Sequence, residues 1–118
     1  MSQALDLRFK TREEWRDWLH RNHLKAHEAW VILYKKKSKT HGLQYSEAVE
    51  EAICYGWIDS RMSRLDEDTY RQRFTPRRKN STWSRSNREL AARLMNSGKM
   101  SKSGCDAIEE GKHGGIWD

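Results

Sequence analysis

Trp57-Ile58-Asp59-Ser60-Arg61-Met62-Ser63-Arg64-Leu65 and Thr69-Tyr70-Arg71-Gln72-Arg73-Phe74-Thr75-Pro76-Arg77, joined by Asp66-Glu67-Asp68, form the stretch that decides the fold. Two runs bearing β-branched and aromatic residues around a short acidic turn read as an antiparallel hairpin. Side chains alternate with period two along a strand. In the second run Tyr70, Gln72, Phe74 and Pro76 therefore share one face, and Thr69, Arg71, Arg73, Thr75 and Arg77 the other. In the first run Ile58 and Met62 point one way and Trp57, Asp59 and Arg61 the other. With both apolar faces turned to the core, one polar face is expected to display Trp57, Asp59, Arg61, Arg71 and Arg73 together.

Upstream, Glu28-Ala29-Trp30-Val31-Ile32-Leu33-Tyr34-Lys35-Lys36 is apolar on both alternating faces and reads as a central strand over about 28–36. Before it, Thr11-x-x-Glu14 is a capping box, and Trp15, Trp18, Leu19 and Asn22 form a helical stripe in a helix expected to end near Leu24. Met1–Lys10 is a loose lead-in or a short edge strand. Lys37–Gly42 is a polar loop, and Lys35, Lys36, Lys37 and Lys39 make a small basic cluster. Ser46 is a candidate cap for the helix carrying Ala48, Val49, Ala52 and Ile53, which Gly56 ends. Cys54, beside that stripe, reads as a small core residue. After a turn over Asn80–Trp83, Ser84 caps a helix with Leu90, Ala91, Leu94 and Met95 inward and Gly98 at its end. A last helix starts near Ser101 and ends before Gly111. This order predicts a single α+β domain over 1–118: a small antiparallel or mixed sheet, with its hairpin at about 57–77, packed with about four helices.

Composition sets the limits of function. The chain has 118 residues with 36% hydrophobic and 34% charged, but six Trp, four Tyr and two Phe supply the apolar area for one core. The longest apolar run, Ala29–Tyr34, is too short to span a bilayer, and Met1–Lys10 lacks a leader's hydrophobic stretch, so a cytoplasmic protein without membrane insertion is expected. Cys54 and Cys105 stand far apart with no Cys-x-x-Cys pair, which excludes a disulfide scaffold. His20, His23 and His27 have no carboxylate placed to complete a metal site, and no cofactor motif occurs. No catalytic motif is recognisable.

The net charge of +6 resides between Arg61 and Arg93, where ten basic residues face four acids; elsewhere the signs cancel. Such a surplus attracts anions, although charge runs are often only solvated faces. Guanidinium groups of Arg71, Arg73 and Arg77 can grip phosphate or carboxylate bidentately, a helix start at Ser84 offers amide hydrogens, and Trp57 and Trp83 are either walls of the site or buried anchors. The candidate anion site is thus Trp57, Asp59, Arg61, Arg71, Arg73, Arg77, Trp83 and Ser84, with Asp59 as counter-ion. An anionic ligand or acidic protein partner is expected, and nucleic acid has weaker support. The alternatives are an enzyme acting on a small phosphorylated or carboxylated metabolite, with Asp59 as acid or base, and an interaction adaptor.

Ser46-Glu-Ala-Val-Glu-Glu-Ala-Ile-Cys-Tyr-Gly-Trp-Ile-Asp-Ser60, followed by Gln72-Arg-Phe-Thr-Pro-Arg77 and Thr82-Trp-Ser84 leading into Asn87-Arg88, resembles the bacterial YdeI/OmpD-associated (bacteriocin-protection) family. The likeness runs from about Thr11 to Asp118 and includes Trp15, Trp30-Val31 and Gly115-Ile-Trp-Asp118. Members commonly continue into a further helical, basic segment, so the likeness covers the family's N-terminal part. It implies a bacterial cytosolic protein linked to bacteriocin or envelope-stress protection, and it assigns no catalytic residue.

Overall fold

The computed structural model describes residues 6–38, 42–78 and 83–113. Eight elements follow one another: β1 (Asp6–Arg8), α1 (Arg12–Asn22), β2 (Ala29–Tyr34), α2 (Tyr45–Cys54), β3 (Trp57–Arg64), β4 (Thr69–Pro76), α3 (Arg85–Ser97) and α4 (Lys102–His113). The sheet runs β1-β2-β4-β3, with β1 parallel to β2 and the other pairs antiparallel. This is the expected α+β architecture with a mixed sheet and four helices. Among the described residues no helix is long and apolar enough to cross a membrane.

Local chemistry explains the boundaries. Thr11 Oγ1 accepts from the Glu14 amide at 3.3 Å, while the Glu14 carboxylate reaches one residue further back than a capping box requires, to the Lys10 amide at 2.6 Å. Helix α2 begins one residue before Ser46: Gln44 is its N-cap, and the Glu47 carboxylate accepts from the Gln44 amide at 3.1 Å. Ser84 caps α3 as expected, its Oγ accepting from the Asn87 amide at 3.1 Å. Gly98, at φ 79°, ends α3 in the left-handed conformation that glycine adopts without strain. Helix α4 continues through Gly111, beyond its expected end. The turn at 80–82, Lys39 and residues 114–118 lie outside the described residues.

One face of the sheet carries the core. Trp15, Leu19, Val31, Leu33, Ala52, Ile53, Trp57 and Phe74 interlock there, and the Trp15 ring lies 5.3 Å from Phe74 and 5.5 Å from Trp18. Trp15 Nε1 donates to the Ala48 carbonyl at 3.0 Å, tying α1 to α2.

The hairpin departs from simple alternation. Asp59 stands opposite Phe74 and Met62 opposite Gln72, so β3 has one more residue than β4 in that interval, a bulge at Ser60 and Arg61. The buried Gln72 amide fills the gap, donating to the Arg61 carbonyl at 3.1 Å. Residues directly opposite in an antiparallel pair share a face. Trp57 and Asp59 therefore lie on the helix side with Pro76 and Phe74, whereas Arg71 and Arg73 lie with Ile32 and Trp30 on the other. The expected common polar face does not form. Trp57, expected outward, is 1% exposed because it packs against Trp18 on the helix side, whereas Met62, which the bulge returns to that same side opposite Gln72, is 65% exposed.

Candidate functional site

The arginines of β4 are spent on neighbours across the sheet. Arg73 Nε is 2.7 Å from Glu28 Oε1, and Arg71 spans Asp6 at 3.6 Å, Ser63 Oγ at 3.3 Å and the Trp30 ring at 5.4 Å. These are scaffold pairings. Arg61 is exposed at the bulge. The Ser84 Oγ accepts from the Asn87 amide as the cap of α3, which leaves its O–H as a donor.

Arg77 is different. The strand ends at Pro76, and the Arg77 amide donates to the Gly56 carbonyl at 2.9 Å, which brings this residue to the α2–β3 turn. Its guanidinium carbon lies 3.6 Å from the centre of the buried Trp83 ring, a close cation–π contact. Burial pulls its pKa down to about 10, and the negative charge of Asp59 opposes that fall. Four of the sequence-predicted residues thus come together: Arg77 at the centre, Trp83 beneath it, Trp57 as a buried wall, and Asp59 acting through space.

Arg77 lines a cleft of about 230 Å³ with His23, Tyr55, Gly56, Ser103 and Asp106. Gly56, at φ 74°, makes the turn that opens it, and a side chain there would press on the Ser103 carbonyl. His23 comes from the end of α1 and Ser103 from the first turn of α4. His23 Nδ1 is 2.8 Å from the Leu19 carbonyl and Nε2 is 2.9 Å from Ser103 Oγ, while Tyr55 meets the imidazole edge-on at 4.9 Å. His20 turns instead to the Tyr55 hydroxyl at 3.2 Å. The sequence presents His20, His23 and His27 only as a spaced triplet; that His23 meets a serine 80 residues away has no local signal. Asp106 and Glu110, one helical turn apart on α4, were the findable part, since that spacing puts both on one helix face.

Asp59 faces α2 rather than the arginines of the sheet: Tyr45 Oη donates to its carboxylate at 2.8 Å. Partial burial and that bond to a carboxylate push the Tyr45 pKa up to about 12. The folded protein holds Tyr45 neutral where the unfolded chain ionises it, so this contribution to stability is whole below the ordinary value of 10.0 and is lost as pH climbs towards about 12. An ultraviolet titration of the tyrosines should show Tyr45 and Tyr70 ionising above the ordinary value, with Tyr45 reaching about 12; in Asp59→Asn the Tyr45 step should move down yet stay above the ordinary value, since burial persists. An unmoved step would dismiss the Asp59–Tyr45 bond.

Residues 7–107 match the family model described as Domain of unknown function (DUF8412). No curated protein and no solved structure matches the chain.

Proposed function

Because the chain belongs to this family of domains, whose description names no activity, we propose from its cleft that it binds a small ligand bearing one anionic group, seated on Arg77. The observation that carries this reading is a guanidinium stacked at 3.6 Å on Trp83 inside a cleft, its charge made costly by burial. A bound carboxylate or phosphate oxygen relieves that cost with charge-assisted hydrogen bonds. The surrounding charge narrows the choice. Asp106 and Glu110 line the same cleft and the charge of Asp59 reaches Arg77, which disfavours polyanions and favours a monocarboxylate. With Arg71 and Arg73 paired internally, a nucleic-acid track has no support. The motifs resembling YdeI/OmpD-associated proteins, Gly56-Trp57, Asp59, Arg77 and Trp83-Ser84, lie at or beside this cleft. Protection against bacteriocins or envelope stress, in the cytoplasm, is the setting proposed with it.

Calorimetric titration at low ionic strength with butyrate, inorganic phosphate and tripolyphosphate tests the proposal. Butyrate should bind best, and Arg77→Ala should weaken it by about 30-fold, the worth of a charge-assisted contact of about 2 kcal/mol. Equal affinity in the variant, or no binding by any of the three, overturns it.

A further inference from the structure

We propose that this cleft is also an acyl-transfer centre, with Ser103 as nucleophile and His23 as its general base, acting on a small ester whose acyl part carries a carboxylate. The choice of substrate rests on the reading of Arg77 as an anion seat; the dyad does not.

The hydrogen positions follow from the partners. A carbonyl oxygen can only accept, so His23 Nδ1, 2.8 Å from the Leu19 carbonyl, carries the hydrogen. In the neutral ring Nε2 is then a bare lone pair, and Ser103 Oγ stands 2.9 Å from it as the donor. This is the relation of an activated serine to its base, with the base oriented by a third group, here a main-chain carbonyl in place of a carboxylate. The imidazole has little freedom to turn: its residue caps α1, with the His23 amide bonded to the same Leu19 carbonyl at 2.8 Å, and Tyr55 packs edge-on against the ring.

Ser103 sits in the first turn of α4, where the helix dipole favours developing negative charge. That turn is held in place from below. Ser101 Oγ accepts from the Gly104 amide at 3.2 Å and donates to the Cys54 carbonyl, while the Ser103 carbonyl packs against Gly56. Arg77 lines the same cleft as both members of the dyad, so a carboxylate on its guanidinium places the rest of a short acyl chain beside Ser103.

In the reaction, Ser103 Oγ bonds to the ester carbonyl carbon as its proton passes to His23 Nε2. The tetrahedral centre expels the alcohol, which takes that proton, leaving an acyl-serine. Water then attacks the acyl carbon as its proton passes to His23 Nε2, the bond from the acyl carbon to Ser103 Oγ breaks, Nε2 returns the proton to Oγ, and the acid departs.

The test combines a fluorophosphonate probe, with the labelled residue mapped by mass spectrometry, and hydrolysis of p-nitrophenyl hydrogen succinate against neutral p-nitrophenyl butyrate. The wild type should be labelled at Ser103 and hydrolyse the succinyl ester faster. His23→Gln should slow labelling and turnover by about 100-fold, the low end for loss of a general base, and Ser103→Ala should abolish both. Should Ser103→Ala fail to fold, Ser103→Cys serves: its thiol should react with iodoacetamide faster than in the His23→Gln/Ser103→Cys double variant. Labelling elsewhere, no labelling, or hydrolysis equal in wild type and Ser103→Ala overturns the dyad. Succinate binding that depends on Arg77 without Ser103 labelling also overturns the dyad while keeping the anion seat. Ser103-dependent hydrolysis with no ester preference and no effect of Arg77→Ala keeps the dyad and removes the anion seat.

Discussion

Trp15→Ala is expected to cost about 4–5 kcal/mol, enough to leave much of the population unfolded, because domains of this size hold only about 5–15 kcal/mol in all. Trp15 is 0% exposed and is the hub of the aromatic core, with Phe9, Trp18 and Phe74 centred 5.6, 5.5 and 5.3 Å from it. Truncation removes the transfer free energy of an indole and opens a cavity that three rigid rings cannot collapse into. It also deletes the bond from Nε1 to the Ala48 carbonyl, worth about 1 kcal/mol. Urea unfolding followed by circular dichroism measures the loss. Trp18→Ala, at a half-buried position on the same helix, should cost clearly less. Equal losses for the two would show that the hub is misplaced.

The second large effect is expected from a charge. Glu51→Ala should destabilise the chain by about 3 kcal/mol, the low end for removing one partner of a buried ion pair. Glu51 is 2% exposed and holds two guanidiniums of α1, Arg12 Nε at 2.7 Å and Arg16 Nη1 at 2.9 Å. Burial alone would lower the pKa of Arg12, but its bonds to Glu50 and Glu51 raise it, a sign that the carboxylates compensate the desolvated charge. The cost stays at the low end because each arginine keeps another partner: Glu50 at 2.6 Å for Arg12 and the Lys99 carbonyl at 2.7 Å for Arg16. By contrast Glu89→Ala, which removes the exposed Arg85 pair at 3.1 Å, should change stability by less than about 0.5 kcal/mol. Thermal unfolding of both variants checks the contrast. A Glu51→Ala loss as small as that of Glu89→Ala would show the α1–α2 clamp to be unimportant.

Both residues illustrate how much was legible beforehand. Trp15 falls on a stripe with Trp18 and Leu19 that any helical periodicity reveals, so its inward direction follows from spacing. Glu51 sits on the same helix as Ala48 and Ala52, and nothing local announces that two arginines 39 and 35 residues away converge on it. The site divides in the same way. Arg77 and Trp83 both belong to the candidate anion site read from the arginine-rich stretch, and the structure stacks them. That Arg71 and Arg73 pair with Asp6 and Glu28 was not readable, because these partners lie far away in the chain, on β1 and just before β2.

Periodicity, caps and turn residues act between near neighbours in the chain, and those interactions alone determined the order of elements, the α+β class, the hairpin and the helix starts at Thr11 and Ser84. That Trp57 and Asp59 turned to the helix side was settled by Trp57 packing on Trp18, and the bulge at Ser60 and Arg61 then brought Met62 to that same side. The meeting of His23 with Ser103 beside Arg77 was likewise settled only by docking α4 against α1 and the Gly56 turn. These depend on contacts between residues far apart in the chain, whose free energy exists only after the core has closed, so no local pattern can encode them.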